Sequence, residues 1–370
     1  MARQVLILGG GYAGVYAALG GARARGEAPI DITLVSAEPD LVNRPRLYEQ
    51  GPGAHLRHPL APMLARIGVS FQVGHVTGID LQARRVALAG GAPLPWDRLV
   101  IALGSRLERP SLPGIERAFD VDSYEGALTL DRHLQTLPPG ATVTVIGSGF
   151  TGVELATELA ARFRVVLLER EKVLAPSLGE GPREAIAHAL DKLGVEVRLG
   201  AALSAIDSGT VVWCGGMTAH PLTRTLPAER DALGRLLTEP SLAVRGLPGV
   251  YAAGDVAHAM ADDAHVALMS CQHAIKLGQF AGHNAVNDLL GQPPQPYQQP
   301  IYRMCLDLGD AGAVMTEGWE RRVLNAGPEA KVTKRHINRV WAALPTPTDR
   351  EALLAFGEPG SSRYRDTQPA

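Results

Sequence analysis

The chain has 370 residues, 46% of them hydrophobic and 20% charged, with a formal net charge of −2. That length allows two or three domains with substantial cores, and near-neutrality removes the electrostatic case for a nucleic-acid partner. No uninterrupted apolar run reaches bilayer length, and Gly9, Gly10 and Gly11 break the N-terminal run that resembles a targeting segment, so a cytoplasmic protein is expected. Cys214, Cys271 and Cys305 lie far apart and eleven histidines are scattered, so no metal site is expected.

In chain order, the apolar run from Arg3 to Leu8 leads into Gly9-x-Gly11-x-x-Gly14, then into an alanine-rich helical pattern that begins near Tyr12 and Ala13. Glycine lets the backbone turn sharply and press against a pyrophosphate, which the free N–H groups and positive end of the helix would face. Ile30–Val35 reads as a second parallel strand. An acid at its end would take the ribose hydroxyls; here Ser36 stands there with Glu38 two residues on, and either can bond a ribose oxygen. Arg44 and Arg46 follow, either in a solvated loop or with one of them facing the cofactor.

Val69–Val73 and Val76–Asp80 read as strands, Val76 being a further candidate for cofactor contact, and Val86–Leu88 with Leu94–Pro95 as a hairpin. Leu99 to Ser105 is a buried strand ending in Gly-Ser. The small residues among Ala102, Leu103, Gly104 and Ser105 admit a cofactor closely. Pro110 to Gly114 reads as a hinge.

Thr142–Ile146 opens a second unit of the same kind: Gly147-x-Gly149-x-x-Gly152-x-Glu154. The helix is read over Val153–Ala161, with Phe150 and Thr151 before it as candidate cofactor contacts, and the second strand, Val165–Leu168, ends in Glu169. A carboxylate there accepts bonds from both ribose hydroxyls and repels a 2′-phosphate, favouring NADH over NADPH, a preference that adjacent Arg170 softens. Two copies roughly 140 residues apart imply two nucleotide-binding domains. Glu154 either orients the nicotinamide or relays a proton, or it serves only the helix dipole.

Val195–Leu199 and Val211–Trp213 continue the second domain. Val250 to Asp255 is another strand, capped by Gly254-Asp255. The aspartate either bonds a sugar hydroxyl or caps a helix. Met269 to Leu290 is helical. The tail offers strands near Tyr302–Leu308 and Ala313–Met315, then a basic helix Lys331–Leu344 with Val332, Ile337, Val340, Trp341 and Leu344 set against Lys334, Arg335 and Arg339. That helix either rests on an anionic membrane surface or packs its apolar side on the flavin-side domain or a homodimer mate. The final polar stretch should lack stable structure.

The ordered set GGGYAG, IALGS, GSGFTGVE and YAAGD resembles the two-dinucleotide-binding-domain flavoproteins of the pyridine nucleotide–disulfide oxidoreductase superfamily, most of all the type II NADH dehydrogenase branch and its soluble relatives. The resemblance spans about residues 3 to 315. It implies an α/β fold with two Rossmann-like three-layer domains and a small C-terminal α+β region. FAD would lie on residues 1–115 and 250–290, NAD(P)H on 116–249, and 291–370 would cap the flavin or build a dimer. Gly9, Gly11 and Gly14 would hold the FAD pyrophosphate, with Ala102–Ser105 beside the FAD and Gly254 and Asp255 at its ribityl-pyrophosphate part. Gly147, Gly149, Gly152 and Glu169 would hold NADH. The helix opening at Met269-Ser270-Cys271-Gln272 would aim its N-terminus at the flavin's pyrimidine carbonyls.

Departures accompany the likeness. No paired-cysteine motif is present, so dithiol chemistry is not expected. The quinone-reducing members' Ala-Gln and following Gln are replaced by Cys271-Gln272 and Leu277. Cys271 is either a packing residue or a group facing the acceptor, as are His265 and His273 nearby. The expected activity is hydride transfer from NADH to FAD and then electron transfer to a small-molecule acceptor. A quinone, an aromatic substrate, an electron-carrier protein and oxygen all remain open. The alternative is an NADH-sensing or electron-carrier-reducing flavoprotein with slow turnover.

Overall fold

The computed structural model describes residues 2–346 and 348–361. In chain order the principal elements are β1 (Arg3–Leu8), α1 (Tyr12–Arg25), β2 (Ile30–Ser36), β3 (Ser70–Val73), β4 (Arg98–Ile101), α2 (Tyr124–Thr136), β5 (Thr142–Ile146), α3 (Phe150–Leu159), β6 (Arg164–Glu169), α4 (Arg183–Lys192), β7 (Glu196–Leu199) and β8 (Thr210–Trp213). They continue with β9 (Val250–Ala252), α5 (Cys271–Leu290), β10 (Arg303–Asp307), β11 (Ala313–Glu317), β12 (Arg322–Gly327), α6 (Pro328–His336), a π-turn over Ile337–Trp341, and α7 (Arg350–Ala355).

Two parallel sheets organise these elements. One has the order β9–β4–β1–β2–β3 and the other β7–β6–β5–β8. In both, the strand before the glycine turn is central: Arg3 pairs with Ile30 and Val5 with Arg98, while Thr142 pairs with Arg164 and Val143 with Thr210. Such strands are covered on both faces and read as continuous apolar runs, which is why VLIL and TVTVI were legible. The chain crosses from the first sheet to the second and returns with β9. β10–β11–β12 form a separate antiparallel sheet, and Val76–Asp80, Arg85–Leu88 and Leu94–Pro95 another.

Helices α1 and α5 touch backbone to backbone. A Cβ on Gly278 would stand 2.3 Å from the Ala13 carbonyl oxygen, and one on Gly282 1.9 Å from that of Ala17. The pairing of 13 with 278 and 17 with 282 means the two helices run the same way. Both N-termini, and so both positive dipole ends, emerge at the same edge of the sheet.

Two expectations for the tail need correction. The helix foreseen over Lys331–Leu344 begins earlier, turns π-helical at Ile337, and does not present the face that periodicity suggested. Lys334 is buried at 3% exposure, while Val332 and Val340 are exposed. The final polar stretch contains α7 and packs on α1: a Cβ on Gly357 would lie 2.4 Å from the Leu19 backbone, and Gln279 Nε2 donates to the Phe356 carbonyl at 2.8 Å. Residues 362–370, which belong to the same expectation, lie outside the described residues.

Candidate functional site: two phosphate cradles and the cap between them

The two glycine turns share one geometry. Gly9 has φ of 111° and Gly147 of 96°, a region that L side chains avoid. A Cβ on Gly14 would fall 1.7 Å from the Gly9 carbonyl oxygen, and one on Gly152 1.8 Å from that of Gly147. Helices α1 and α3 begin after Gly11 and Gly149, both in extended conformation (φ, ψ of −77°, −173° and −72°, −173°) and neither with a side-chain cap. Free helix N-termini want an acceptor, and a phosphate is the natural one. Nothing approaches within 4 Å of the place a Gly11 Cβ would take, and Gly149 meets only Ser177 Oγ at 3.7 Å. Both cradles therefore fit a dinucleotide pyrophosphate. Tyr12, Ala13 and Phe150 are seated in the first turns, and Thr151 is exposed.

The strand ends differ. Glu169 closes β6 as a buried carboxylate that accepts from Ser148 N at 2.9 Å, Ser148 Oγ at 2.6 Å and Glu171 N at 3.0 Å. Burial alone would raise its pKa; the bonds from Glu171 and Ser148 outweigh that and hold it low, so it stays charged where a ribose would lie. Ser36 occupies the matching place in the first unit, its Oγ accepting from Glu38 N at 3.3 Å. The Glu38 carboxylate instead turns to Arg57 at 3.4 Å. Val76 is buried in the apolar cluster that also holds Leu8 and Val35.

Beyond β4 the backbone runs against the first cradle: a Cβ on Gly9 would lie 2.2 Å from the Ala102 carbonyl oxygen. Leu103 is half-buried, Gly104 has φ of 72°, and Ser105 Oγ donates to Asp255 Oδ2 at 2.6 Å. Arg44 is in the same group, pairing with Asp122 and reaching Ser105 Oγ at 3.4 Å. Arg46 turns away from that group to Glu49 at 2.8 Å. Gly254 has φ of 71°, and a Cβ there would be 2.7 Å from that of Ala13. Asp255 thus faces Ser105 rather than capping a long helix.

Helix α5 starts at Cys271, with Ser270 as its N-cap and Met269 half-buried before it. Gln272 Oε1 accepts from Arg303 N at 3.3 Å, so its amide is turned to the C-terminal sheet. His273 is fully buried and stacked on Tyr302, and burial pushes its pKa down to about 3. The three cysteines are free. Burial pushes their thiols up, Cys271 to about 11 and both Cys214 and Cys305 to about 12.

Glu154 does not stand open at a helix start. It is buried, accepts from Asp307 N at 2.9 Å, and pairs with Lys334 Nζ at 2.7 Å. Burial pushes the carboxyl up to about 7, with Lys334 and the Asp307 N–H drawing it back. Burial also works against the Lys334 ammonium, but Glu154 outweighs it and the lysine's pKa is raised. The ammonium lies 5.6 Å from the centre of the Tyr48 ring and 5.2 Å from that of Phe150. Tyr48 Oη donates to Asp307 Oδ2 at 2.9 Å, and Lys331 pairs with the same carboxylate. Lys334, Asp307 and Tyr48 were not foreseen. Lys334 carried no local signal, because a lysine in a basic helix reads as solvent-facing until its partner is known.

The comparisons agree with this architecture. The family model for pyridine nucleotide-disulphide oxidoreductases matches residues 3–278. An NADH dehydrogenase-like protein of Mycobacterium tuberculosis is 42% identical over 393 residues, covering 96% of this chain and 98% of the relative. The demethylphylloquinone reductase NdbB of Synechocystis is 29% identical, covering 90% of this chain and 91% of that one. Among solved structures, the sulfide:quinone oxidoreductase of Aquifex aeolicus superposes with a TM-score of 0.78 at 18% identity, covering 96% of this chain and 93% of that one. No helix among the described residues is long and apolar enough to cross a membrane. With two dinucleotide cradles of one design and a family match across most of its length, the chain belongs to the pyridine nucleotide-disulphide oxidoreductases and is an NADH-dependent oxidoreductase with FAD and NAD(H) as cofactors.

Proposed function

We propose that this protein passes electrons from NADH to a quinone without a redox disulfide. The observation that carries the quinone is the likeness, along nine-tenths of both chains, to a relative named as a demethylphylloquinone reductase. Against dithiol chemistry stand three separate thiols, all pushed above the range in which a thiolate forms.

In this reading, residues 1–115 and 250–290 hold FAD, 116–249 hold NAD(H), and 291–370 form the cap. Gly9, Gly11 and Gly14 receive the FAD pyrophosphate, while Arg44, Ser105 and Asp255 bind its sugar-phosphate part. Gly147, Gly149 and Gly152 receive the NADH pyrophosphate, and Glu169 its adenosine ribose. Bound FAD supplies the two-electron carrier between nicotinamide and acceptor. The chain's part is to hold the two rings in contact and exclude water. The whole reaction takes one proton from solvent, and Glu154, with its pKa near 7, is the group suited to hold it. Gln272 and Cys271 line the start of α5, where the helix dipole favours negative charge. The exposed Val332 and Val340 mark where a peripheral membrane contact would lie.

Anaerobic stopped-flow reduction of the yellow protein by NADH and NADPH, followed by a panel of acceptors, tests this. The reading requires faster bleaching by NADH and rapid recovery of colour with a quinone. A long-lived charge-transfer band that no quinone discharges overturns it.

A further inference from the structure

The tip of the β11–β12 hairpin buries a cation that meets no carboxylate among the described residues. Arg321 is 7% exposed, makes no ion pair among the described residues, and its Nη1 has no hydrogen-bond partner. A buried, uncompensated guanidinium is costly, so its retention calls for an acceptor. Its place is tightly specified. Arg321 has φ of 59°, and the NAD(H)-side loop makes room for it with two glycines. A Cβ on Gly179 would meet Arg321 Cγ at 2.8 Å, and one on Gly181 the Arg321 carbonyl oxygen at 1.9 Å.

The guanidinium lies over the Tyr302 ring, 4.4 Å from its centre, and the Tyr302 hydroxyl is hydrogen-bonded with both Arg321 and Ser270, the N-cap of α5. Tyr302 stacks on His273 at 4.8 Å and on Trp319 at 5.8 Å, and Trp319 stacks on the outer ring of His265 at 4.5 Å. Two further nitrogens of this cluster, Trp319 Nε1 and His273 Nε2, are buried without partners. His273 Nδ1 meets the Ser270 hydroxyl at 2.9 Å, which ties the ring to the start of α5. Among the described residues, Arg321 Nη1, the Trp319 indole N–H and His273 Nε2 thus have no partner beside the positive end of α5. The Tyr302 hydroxyl links the guanidinium to Ser270 at the start of α5, the helix end whose dipole favours negative charge.

We propose that Arg321, aided by the Trp319 indole N–H, receives a carbonyl oxygen of the quinone as that oxygen gains negative charge; this rests on the quinone reading above. NADH gives up a hydride and leaves as NAD⁺, one proton enters from solvent, and the quinone gains two electrons and two protons to become the quinol. Negative charge passing through the quinone oxygen is what the Arg321 N–H groups stabilise. The residue therefore discriminates between acceptors. One that takes electrons without a carbonyl oxygen, such as ferricyanide, gains nothing from it.

The test uses the FAD-loaded protein, NADH, 2-methyl-1,4-naphthoquinone and ferricyanide. For Arg321→Met, the ratio of kcat/KM for naphthoquinone to that for ferricyanide should fall about tenfold or more, with partial recovery in Arg321→Lys. Naphthoquinone should also quench tryptophan emission saturably, with a weaker midpoint in Arg321→Met and loss of the quench in Trp319→Phe. A ratio that stays within about twofold overturns the assignment, as does a quench that survives unchanged in Trp319→Phe. Should Arg321→Met fail to fold by thermal melt, the Trp319→Phe titration decides. Unmodified protein that reduces ferricyanide but no quinone removes the underlying reading; quinone reduction with an unchanged ratio removes only Arg321.

Discussion

Glu154 and Lys334 form an ion pair of 2.7 Å in which each side chain is only 3% exposed. One lies a turn into the second glycine-turn helix and the other comes from the C-terminal region, so the pair ties that region to α3. Desolvating two charges is repaid only by close geometry, and removing one partner strands the other.

Glu154→Gln should therefore cost about 3–5 kcal/mol by leaving the Lys334 ammonium buried alone. The double variant Glu154→Gln, Lys334→Met should recover most of that loss in urea melts. A single variant as stable as the parent would show that the cap does not hold this pair in solution.

The same carboxyl makes a prediction in pH. Its folded pKa is raised to about 7, so its contribution to stability is full below its ordinary carboxylate range and declines as pH rises through about 7. Quinone reduction should show an inflection near that pH, and Glu154→Gln should remove it from the pH–rate profile.

His273 has the opposite sign. Its folded pKa is depressed to about 3 by burial, so the unfolded chain binds the proton more readily. Stability should be full above the ordinary histidine value near 6.5 and fall as pH drops toward 3. Thermal melts at intervals across that range should show a shallower decline for His273→Gln than for the parent.

The glycine pair separates the two cradles. Each added methyl in Gly14→Ala and Gly152→Ala would fall within 1.8 Å of a carbonyl oxygen. Gly14→Ala should purify colourless or nearly so. Gly152→Ala should keep its flavin absorbance yet lose bleaching by NADH. If both variants lose the same cofactor, the assignment of the two cradles is wrong.

Glu169 is the group we propose to choose between NADH and NADPH. With Ser148 and Glu171 holding its carboxylate charged, Glu169→Ala should lower the NADH-to-NADPH ratio of kcat/KM by about tenfold or more. An unchanged preference in stopped-flow reduction would move specificity elsewhere.

Much of this was legible beforehand where the physics is local. A strand, a glycine turn and an uncapped helix need only neighbouring residues, and Gly9–Gly14 and Gly147–Gly152 were read correctly as twin turns. That Arg44 joins Ser105 while Arg46 turns to Glu49 was not local, since it depended on Asp122 and Ser105 coming to meet one of them. The basic helix misled because amphipathic periodicity places every lysine in water, whereas Lys334 is drawn inward by a carboxylate from another domain.

The sequence by itself determined the two phosphate cradles and the acid at the end of the second, because backbone conformation and helix dipoles are written in contiguous residues. Only the tertiary structure decided which charges are buried and what they face: Lys334 against Glu154, and Arg321 over the Tyr302 ring. The reason is that a charge's solvation is set by whatever packs against it, and those neighbours are supplied by distant parts of the chain.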